Sequence, residues 1–561
     1  MEADASREEP TRVMVIGLDG ASFDIIDPLI AAGRLPVLAQ LTAAGAAAVL
    51  ESPVPPMSPI AWPAFYTGVG PGKHGVFGFT EFIPATYQEV LVSSQSVRVA
   101  PFWHILGERD KRTIVMNLPM TFPPAPLEGA MVTGVLTPHS ESRCTYPDGL
   151  RAELEGAVGA LIPDPTVRAL RRAPGNSVLE RLQASVDLRT RAALHVMASE
   201  RWDLCIAVFY TTDVVQHAFL GDAAPAPGSV RELRGDAGHI IEEHYRQVDE
   251  AIGRLLEHVG DGCTVFVMSD HGVTVKREWL CVSEWLAQRG LLTWSRWPGG
   301  GSHRFAMRRK TVGRTLAGLR LSAVAKLLPR RLLEAQIPLP RWSQLRLSRR
   351  GVNWRRSRAF VDPSMRDGIR INLKGREGHG TVEPGAEYEA VRAEIADGLL
   401  GLTDPETGAP VFERVYRREE LYSGDYVERA PDLILAAHGQ QVRPTWESNR
   451  GQLFKPTRGP DGAEHTCDGI LIAAGPGIPR SAERWRAAIV DLAPTILYLL
   501  GAPISENLDG RVLTELMQPE LTAARPAEYA AEPRPPQRRS EQPADTSDER
   551  VLQRRRDLGY R

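Results

Sequence analysis

Four short apolar runs separated by helical patterns constrain the fold of this chain more than any other feature. The runs are residues 12–17 (RVMVIG), 205–210 (CIAVFY), 264–268 (TVFVM) and 469–474 (GILIAA), all of strand length and rich in apolar and β-branched side chains. Helical periodicity lies between them, for example in residues 244–258 and 491–500. Strands that alternate with helices favour a mostly parallel central sheet with helices on both faces, so we predict an α/β fold.

Three of these four runs are each followed within a few residues by an aspartate. The three aspartates are Asp19, Asp213 and Asp270. In parallel sheets the carboxyl ends of the strands meet at one edge, and ligand sites form beyond that edge. Each aspartate alone would also serve as a cap for the helix that follows it. Together they predict one shared site.

Histidines accompany these aspartates. His217 follows Asp213 by four residues, a spacing that puts both side chains on one face of a helix. His271 directly follows Asp270 in the SDHG turn, and His465 stands just before the last apolar run. Three aspartates and three histidines suit zinc, or manganese with more water ligands, and they lack the thiolates of structural zinc sites. The set predicts a site for divalent metal ions.

A serine in the segment PPMSPIAWPAFYTG is the candidate nucleophile. Ser58 precedes Pro59 and the helix-compatible residues 60–67, so we expect it at the amino end of a helix. A serine in that position often only caps the helix. Three aspartates beside two divalent ions, however, leave a net charge of about +1, which would stabilise a serine alkoxide and lower the pKa of the hydroxyl.

Seven separated motifs then occur in a fixed order: LDG, PPxSxxAW, YTG, PGKHG, TTDxxQH, SDHG and a late EH. With the closing DLAPTILYLLG and LDGRVL they span about residues 12 to 515. This series closely resembles the type I phosphodiesterase/nucleotide pyrophosphatase branch of the alkaline phosphatase superfamily. The resemblance implies an alkaline-phosphatase-like fold and a hydrolase of phosphoric esters, most of all phosphodiesters, that uses two divalent metal ions.

The resemblance also implies a role for each site residue. It assigns Asp19, Ser58, Asp270 and His271 to one metal ion and Asp213, His217 and His465 to the other. Ser58 would be both ligand and nucleophile, and would pass through a phosphoseryl intermediate in a double displacement. Zinc is the favoured metal and manganese the alternative. His74, in the KHG turn, would be structural, and Ser58 stands where many phosphodiesterase members carry threonine.

Other activities of the same superfamily stay open. Phosphomonoester hydrolysis and cofactor-independent phosphosugar mutation use the same residue types, whereas sulfatases are disfavoured because no CxPxR or SxPxR motif occurs. The hydrogen-bond donor that such sites place beside the nucleophile would come from the region of residues 93–96. The leaving group could be a nucleotide, a lipid headgroup or a glycan, because fold does not determine substrate.

The length of 561 residues exceeds that of an ordinary single domain. We predict a flexible start (1–10), a catalytic core (11–275 and 431–518), an insertion or cap (276–430) and a disordered tail (519–561). Within the insertion, residues 304–358 carry 16 Lys plus Arg against one acidic residue, Glu334. An amphipathic pattern at 314–333 ends or kinks at Pro329.

The balance of charge and the cysteines bear on partners and compartment. A formal net charge of -2 gives the chain no global attraction for nucleic acid, and no specific nucleic acid is predicted. The basic residues 304–358 could contact an anionic membrane, and a membrane-binding protein is the alternative from another class. Five cysteines without a CxxC pair, and no signal peptide or long apolar run, predict a soluble cytoplasmic protein.

Overall fold

A computed structural model describes residues 12–137, 143–175, 177–224, 230–295, 351–449, 451–457 and 462–531. Its strands are β1 Arg12–Leu18, β2 Ala46–Glu51, β3 Thr80–Ile83, β4 Gln88–Leu91, β5 Thr113–Leu118, β6 Gly129–Thr133, β7 Thr145–Tyr146, β8 Leu204–Phe209, β9 Cys263–Met268, β10 Gly272–Val275, β11 Glu278–Cys281, β12 Ala359–Val361, β13 Gly368–Ile371, β14 Phe412–Arg417, β15 Leu433–Ala437, β16 Val442–Thr445, β17 Phe454–Pro456, β18 Ala463–Thr466, β19 Asp468–Ala474, β20 Arg484–Ala488, β21 Ile504–Ser505 and β22 Tyr529–Ala530.

The α-helices in the same ranges are α1 Phe23–Ala31, α2 Pro36–Ala44, α3 Ser58–Thr67, α4 Pro71–His74, α5 Trp103–Gly107, α6 Leu150–Val158, α7 Val167–Arg172, α8 Ser177–Ser199, α9 Thr211–Ala223, α10 Gly235–Val259, α11 Val282–Gln288, α12 Ala386–Leu400, α13 Arg418–Leu421, α14 Leu492–Leu499 and α15 Pro519–Ala524. The amphipathic pattern at 314–333 and most of the basic segment 304–358 lie outside the described residues.

The central sheet contains nine described strands in the order β20-β2-β19-β9-β1-β8-β5-β6-β7. Seven of them run in the same direction; β19 is antiparallel to both of its neighbours, and β7 is antiparallel to β6. Every residue of β5, β8 and β9 is buried. Successive side chains of a strand point to opposite faces, so burial of all of them means that both faces of the sheet are covered. The predicted α/β fold is confirmed.

The reversed direction of β19 positions the last site element. Its amino end lies at the edge where the carboxyl ends of β1, β8 and β9 lie, because β19 pairs antiparallel with β9. The preceding strand β18 forms a two-stranded ribbon with β10, in which His465 is opposite Val273. A residue that stands before a strand in the sequence thereby reaches the same edge as residues that follow their strands.

A second hydrophobic core lies beside the sheet. It is built from the four-stranded sheet β12-β13-β15-β14, helices α11 and α12, and the three-stranded sheet β16-β11-β17. The β3–β4 hairpin enters this core, where the ring of Tyr87 stacks on Trp354 with centroids 4.2 Å apart. The core thus draws on residues before 276, such as Tyr87, and after 430, such as Leu433 and Val442, on both sides of the predicted insertion.

The residues after 518 begin with ordered elements. Helix α15 is followed by β22, which pairs in parallel with β21. The Tyr498 hydroxyl donates a hydrogen bond to the backbone oxygen of Arg525 at 2.5 Å. The part of the predicted tail up to residue 531 is therefore structured, and residues 532–561 lie outside the described ranges.

Across the described ranges, none of the individual helices is both long enough and apolar enough to cross a membrane. One bent pair, α1 with α2, meets the length and composition only when its two helices are taken together.

Candidate active site

The structure brings all seven predicted site residues together at the carboxyl edge of the central sheet. They are Asp19 after β1, Ser58 at the start of α3, Asp213 and His217 in α9, Asp270 and His271 between β9 and β10, and His465 in β18. Six of them are buried, and the His217 side chain is 12% exposed. Residues separated by more than 400 positions in the sequence thus form one cluster. Their roles as metal ligands stay a prediction.

One half of the cluster surrounds the serine. The ligand atoms of Asp19, Asp270 and His271 all lie within 4.8 Å of one another. The Ser58 Oγ lies 3.4 Å from Asp19 Oδ1 and 3.2 Å from His271 Nε2. The hydroxyl is therefore in direct reach of the groups that would share a metal ion with it.

The other half of the cluster contains the remaining histidines. His217 Nε2 lies 3.3 Å from Asp213 Oδ1 and 2.9 Å from His465 Nε2. Asp213, His271 and His465 form a second group whose ligand atoms lie within 4.8 Å of one another. The rings of His271 and His465 stack with centroids 3.7 Å apart. His271 thus lies between the two halves, whereas the family resemblance gives it to the serine side alone.

The surroundings of the three aspartates shift their pKa values in different directions. Burial raises the pKa of Asp19 well above its ordinary value, and repulsion from Asp270 and Asp213 adds to this effect. Burial also raises the pKa of Asp270. Burial acts in the same direction on Asp213, but its histidine neighbours hold the pKa of that carboxyl well below its ordinary value. Bound cations would relieve the repulsion among these buried carboxylates.

The imidazoles are oriented by backbone oxygens. His271 Nδ1 lies 3.0 Å from the Gly272 oxygen, and His465 Nδ1 lies 2.9 Å from the Pro56 oxygen. A proton on each Nδ1 satisfies these contacts and leaves the lone pair of Nε2 directed into the cluster. Burial, together with the nearby His271, lowers the pKa of His465 to about 4, so its ring is neutral at pH 7.

Helix α3 sets the position of the serine. The helix begins at Ser58 itself, with Met57 as the N-cap, and Pro59 is in its first turn, where the lack of an N–H costs nothing. It ends at Gly68, whose φ of 69° is the left-handed conformation that favours glycine. All ten residues of the helix are buried. The serine predicted at a helix terminus therefore lies on a fixed element.

Two other predicted regions lie apart from the cluster. His74 is fully buried, its Nδ1 accepts a hydrogen bond from the Val76 N–H, and burial lowers its pKa to about 3. In the turn at residues 93–96, the hydroxyls of Ser93 and Ser96 accept bonds from N–H groups of the same turn, and Ser94 donates to the Pro123 oxygen. None of these groups is hydrogen-bonded to Ser58 among the described residues, although His74 interacts with the backbone of Ile60 in the same helix as Ser58.

Sequence reasoning missed several residues that contact the cluster or lie directly beside it, among them Trp62 and Gln216. The indole Nε1 of Trp62 donates a hydrogen bond of 2.8 Å to Asp19 Oδ2. The amide Nε2 of Gln216 donates to the Gly20 oxygen at 3.0 Å, directly after Asp19. The spacing of four residues between Ser58 and Trp62 was the available signal for the first, because it puts both side chains on one helix face.

Comparison with known families identifies the class of protein. The sequence model of the family described as type I phosphodiesterase / nucleotide pyrophosphatase matches residues 13–461. The chain is thus a hydrolase of phosphoric esters, on a fold and cluster of the kind described above. It belongs to the type I phosphodiesterase / nucleotide pyrophosphatase family, as its motifs predicted.

Similar solved structures include phosphonoacetate hydrolase from Sinorhizobium meliloti 1021 in complex with phosphonoacetate, with 14% identity, a TM-score of 0.49, and coverage of 88% of this chain and 96% of that chain. Murine ectonucleotide pyrophosphatase / phosphodiesterase 5 has 13% identity and a TM-score of 0.46, with coverage of 91% of this chain and 100% of that chain. Its human counterpart has 12% identity and the same TM-score and coverage. No curated protein matches the chain.

Proposed function

We propose that this protein is a phosphodiesterase that depends on two divalent metal ions and acts through a phosphoseryl intermediate on Ser58. The observation that carries the proposal is the position of the Ser58 hydroxyl. It lies 3.4 Å from Asp19 Oδ1 and 3.2 Å from His271 Nε2, at the first residue of a buried helix. Family membership supplies the reaction class, and this position supplies the nucleophile.

The donor set fits two metal ions. Asp19, Ser58, Asp270 and His271 would hold one of them, and Asp213, His217 and His465 would hold the other. Oxygen and imidazole nitrogen donors without thiolate are the ligands of catalytic zinc, and also suit manganese.

Two features of the site support this fit. The buried Asp270 Oδ2 accepts no hydrogen bond from the described residues. The Nε2 atoms of His217 and His465 face each other at 2.9 Å, a position in which both could bind one cation through their lone pairs, or one ring could donate its proton to the other. Bound ions would satisfy these atoms, neutralise charge that develops on the phosphoryl oxygens and lower the pKa of the serine hydroxyl.

The residues of the chain perform the remaining steps. The Ser58 Oγ attacks phosphorus in line, so that an Oγ–P bond forms while the bond from phosphorus to the leaving oxygen breaks; the hydroxyl proton passes to solvent water, and the departing oxygen takes up a proton and leaves as an alcohol. The amino end of α3 favours negative charge on Oγ. Water then attacks the phosphoserine from the opposite side, releases the phosphomonoester and restores the hydroxyl. Fixed geometry supplies much of the rate enhancement.

Substitution of the serine tests this mechanism. In Ser58→Ala we expect hydrolysis of bis-p-nitrophenyl phosphate to fall by roughly 10⁴-fold or more, the order found when a nucleophile is removed, while bound metal and the melting temperature persist. Ser52→Ala is the matched control, because Ser52 is also buried but its hydroxyl bonds to no described residue. Quenched wild-type turnover should yield a phosphoryl adduct on the peptide that contains Ser58.

Each element of the proposal has its own opposing result. Wild-type activity in Ser58→Ala would show that Ser58 is not the nucleophile. Activity that persists after chelation to less than one metal ion per chain would show that the reaction does not depend on metal ions. Faster hydrolysis of p-nitrophenyl phosphate than of the diester would replace the phosphodiesterase by a phosphomonoesterase. Phosphate shift within a sugar phosphate would instead identify a mutase.

A further inference from the structure

We propose that Trp62 is a positioning residue that fixes the Asp19 carboxylate, so that a single oxygen of Asp19 is offered to the metal ion beside Ser58. The inference rests on the proposed function, because it assumes that Asp19 is a ligand. It adds a residue that the ligand set does not contain. The ring of Trp62 and the whole of Asp19 are fully buried.

The two carboxylate oxygens of Asp19 have different partners. Oδ2 accepts the hydrogen bond from the Trp62 indole at 2.8 Å. Oδ1 faces the cluster, 3.4 Å from Ser58 Oγ and 3.7 Å from His271 Nε2. An N–H bond to a buried carboxylate is charge-assisted, and rotation of the carboxylate would break it. The indole therefore keeps Oδ2 away from the cluster and Oδ1 within it.

The helix couples this orientation to the nucleophile. Ser58 and Trp62 are four residues apart in α3, so their side chains project from one face of the helix. That face contacts both oxygens of the same carboxylate, Oδ1 through the Ser58 hydroxyl and Oδ2 through the indole. The distance between nucleophile and ligand is thus set within one helical turn.

Strand β1 leaves the space that the indole needs. A Cβ atom added to Gly17, two residues before Asp19, would lie 2.7 Å from Cη2 of Trp62. The ring therefore lies directly against the strand that carries Asp19. Contact with the strand and the hydrogen bond to its aspartate hold the indole from two directions.

Packing alone is the simpler role for a buried tryptophan. Trp62 contacts Phe65 edge-on, with ring centroids 6.0 Å apart. Trp103 offers a matched comparison, because it is 3% exposed and packs against Tyr66 of the same helix with ring centroids 5.4 Å apart. Its indole donates no hydrogen bond to any of the described cluster residues, and its ring neighbours are Tyr66 and Phe102. A positioning role requires the N–H of Trp62, whereas a packing role requires only the ring.

Zinc affinity separates the two roles. The variants are Trp62→Phe, a protein with benzothienylalanine at position 62, which keeps the shape of the indole but has no N–H, and Trp103→Phe. Each apoprotein is titrated with Zn²⁺ against a chromophoric chelator, and the melting temperature of each apoprotein is measured. Removal of a donor to a metal ligand commonly weakens affinity roughly 10- to 100-fold. We expect that loss at one of two zinc sites for the benzothienyl variant, and no loss for Trp103→Phe.

The inference predicts a loss of affinity at only one of the two zinc sites. Asp19 belongs to the serine side of the cluster, so the affinity of the Asp213 side should stay within about twofold of wild type. A benzothienyl variant with both affinities unchanged would overturn the inference, as would an equal loss at both sites or an equal loss in Trp103→Phe. If wild-type protein binds no zinc or manganese, the proposed metal dependence fails first and this inference falls with it.

Discussion

The buried ion pair of Lys276 and Glu464 gives a prediction whose size follows from the structure. Lys276 Nζ lies 3.1 Å from Glu464 Oε2, and the two side chains are 3% and 4% exposed. Arg443 and Arg366 also approach Glu464, at 3.5 Å and 3.8 Å, and Arg443 pairs with Asp367 at 3.0 Å. Three cations thus share two carboxylates, so the Glu464→Gln change leaves three cations around a single carboxylate.

The expected cost of Glu464→Gln is that of a broken buried ion pair, about 3–5 kcal/mol of unfolding free energy. Even with its partner present, burial lowers the pKa of Lys276 from 10.5 to about 8. That difference corresponds to roughly 3 kcal/mol of stability that the folded state gives up to keep the ammonium charged at neutral pH. Without Glu464, the same ammonium is less favoured still.

The pH dependence has a defined sign. Between about pH 8 and 10.5 the unfolded chain holds a proton on Lys276 that the folded chain has released, so the unfolding free energy rises with pH across this window. In Glu464→Gln the folded pKa of Lys276 falls further, and the rise begins below pH 8. In Lys276→Met the contribution of this group disappears.

Urea unfolding at pH 7 and pH 9.5 measures these effects. Because Lys276 and Glu464 are in contact, we expect the double variant Glu464→Gln/Lys276→Met to cost roughly 1–3 kcal/mol less than the sum of the single variants. Glu515→Gln is the control, since its pair with Arg511 is 45% and 54% exposed and should be worth about 0.5 kcal/mol or less. A cost of Glu464→Gln near that of the control, or additive single variants, would refute the assignment of a coupled buried pair.

Two further outcomes concern the helices and the strand around the site. Burial lowers the pKa of His244 to about 4, so we expect roughly 3 kcal/mol of stability to be lost between pH 6.5 and 4. His244→Gln should remove that loss in acid unfolding curves, while the exposed His258→Gln on the same helix should not. Gly17→Ala crowds Trp62 and should cost about 1–3 kcal/mol and weaken one zinc site. Gly156→Ala, which meets open space, should do neither, and equal effects of both would contradict the crowding.

The sequence predicted the central sheet because its strands are buried on both faces. The runs at 12–17, 205–210, 264–268 and 469–474 correspond to β1, β8, β9 and β19 with ends that shift by one residue at most. The helical pattern at 244–258 lies within α10, which begins nine residues earlier, and the pattern at 491–500 extends one residue beyond each end of α14. Continuous apolar runs of strand length are read directly from residue types, and this is why these elements could be found.

The direction of a strand and the origin of a second core could not be found in that way. β19 (DGILIAA) is an apolar run of strand length like β9 (CTVFVM), yet it runs antiparallel to it. Hydropathy is unchanged when a strand is reversed, so no pattern distinguishes the two cases. The place of the β3–β4 hairpin in the second core could not be predicted either, because its contact with Trp354 joins residues more than 260 positions apart.

The site was predictable where one residue type implies one chemistry, and only there. Aspartate and histidine after a strand suggest a ligand from their identity alone, so Asp19, Asp270 and His271 were predicted as ligands, and the structure brings them together. Trp62 is an apolar residue within an apolar helix, and only the hydrogen bond to Asp19 Oδ2 gives it another meaning. Residues that orient ligands carry the signature of the core, not of the site.

The β10–β18 ribbon explains how a large segment between two parts of the chain leaves the cluster intact. The chain leaves the sheet region after Val275 at the end of β10 and returns at Ala463 of β18, which is opposite Val275 in the same ribbon. His271 immediately precedes this ribbon and His465 lies within it. The ladder of the ribbon therefore holds His271 and His465 together at the two ends of the segment between 276 and 462, whatever the length of chain between them.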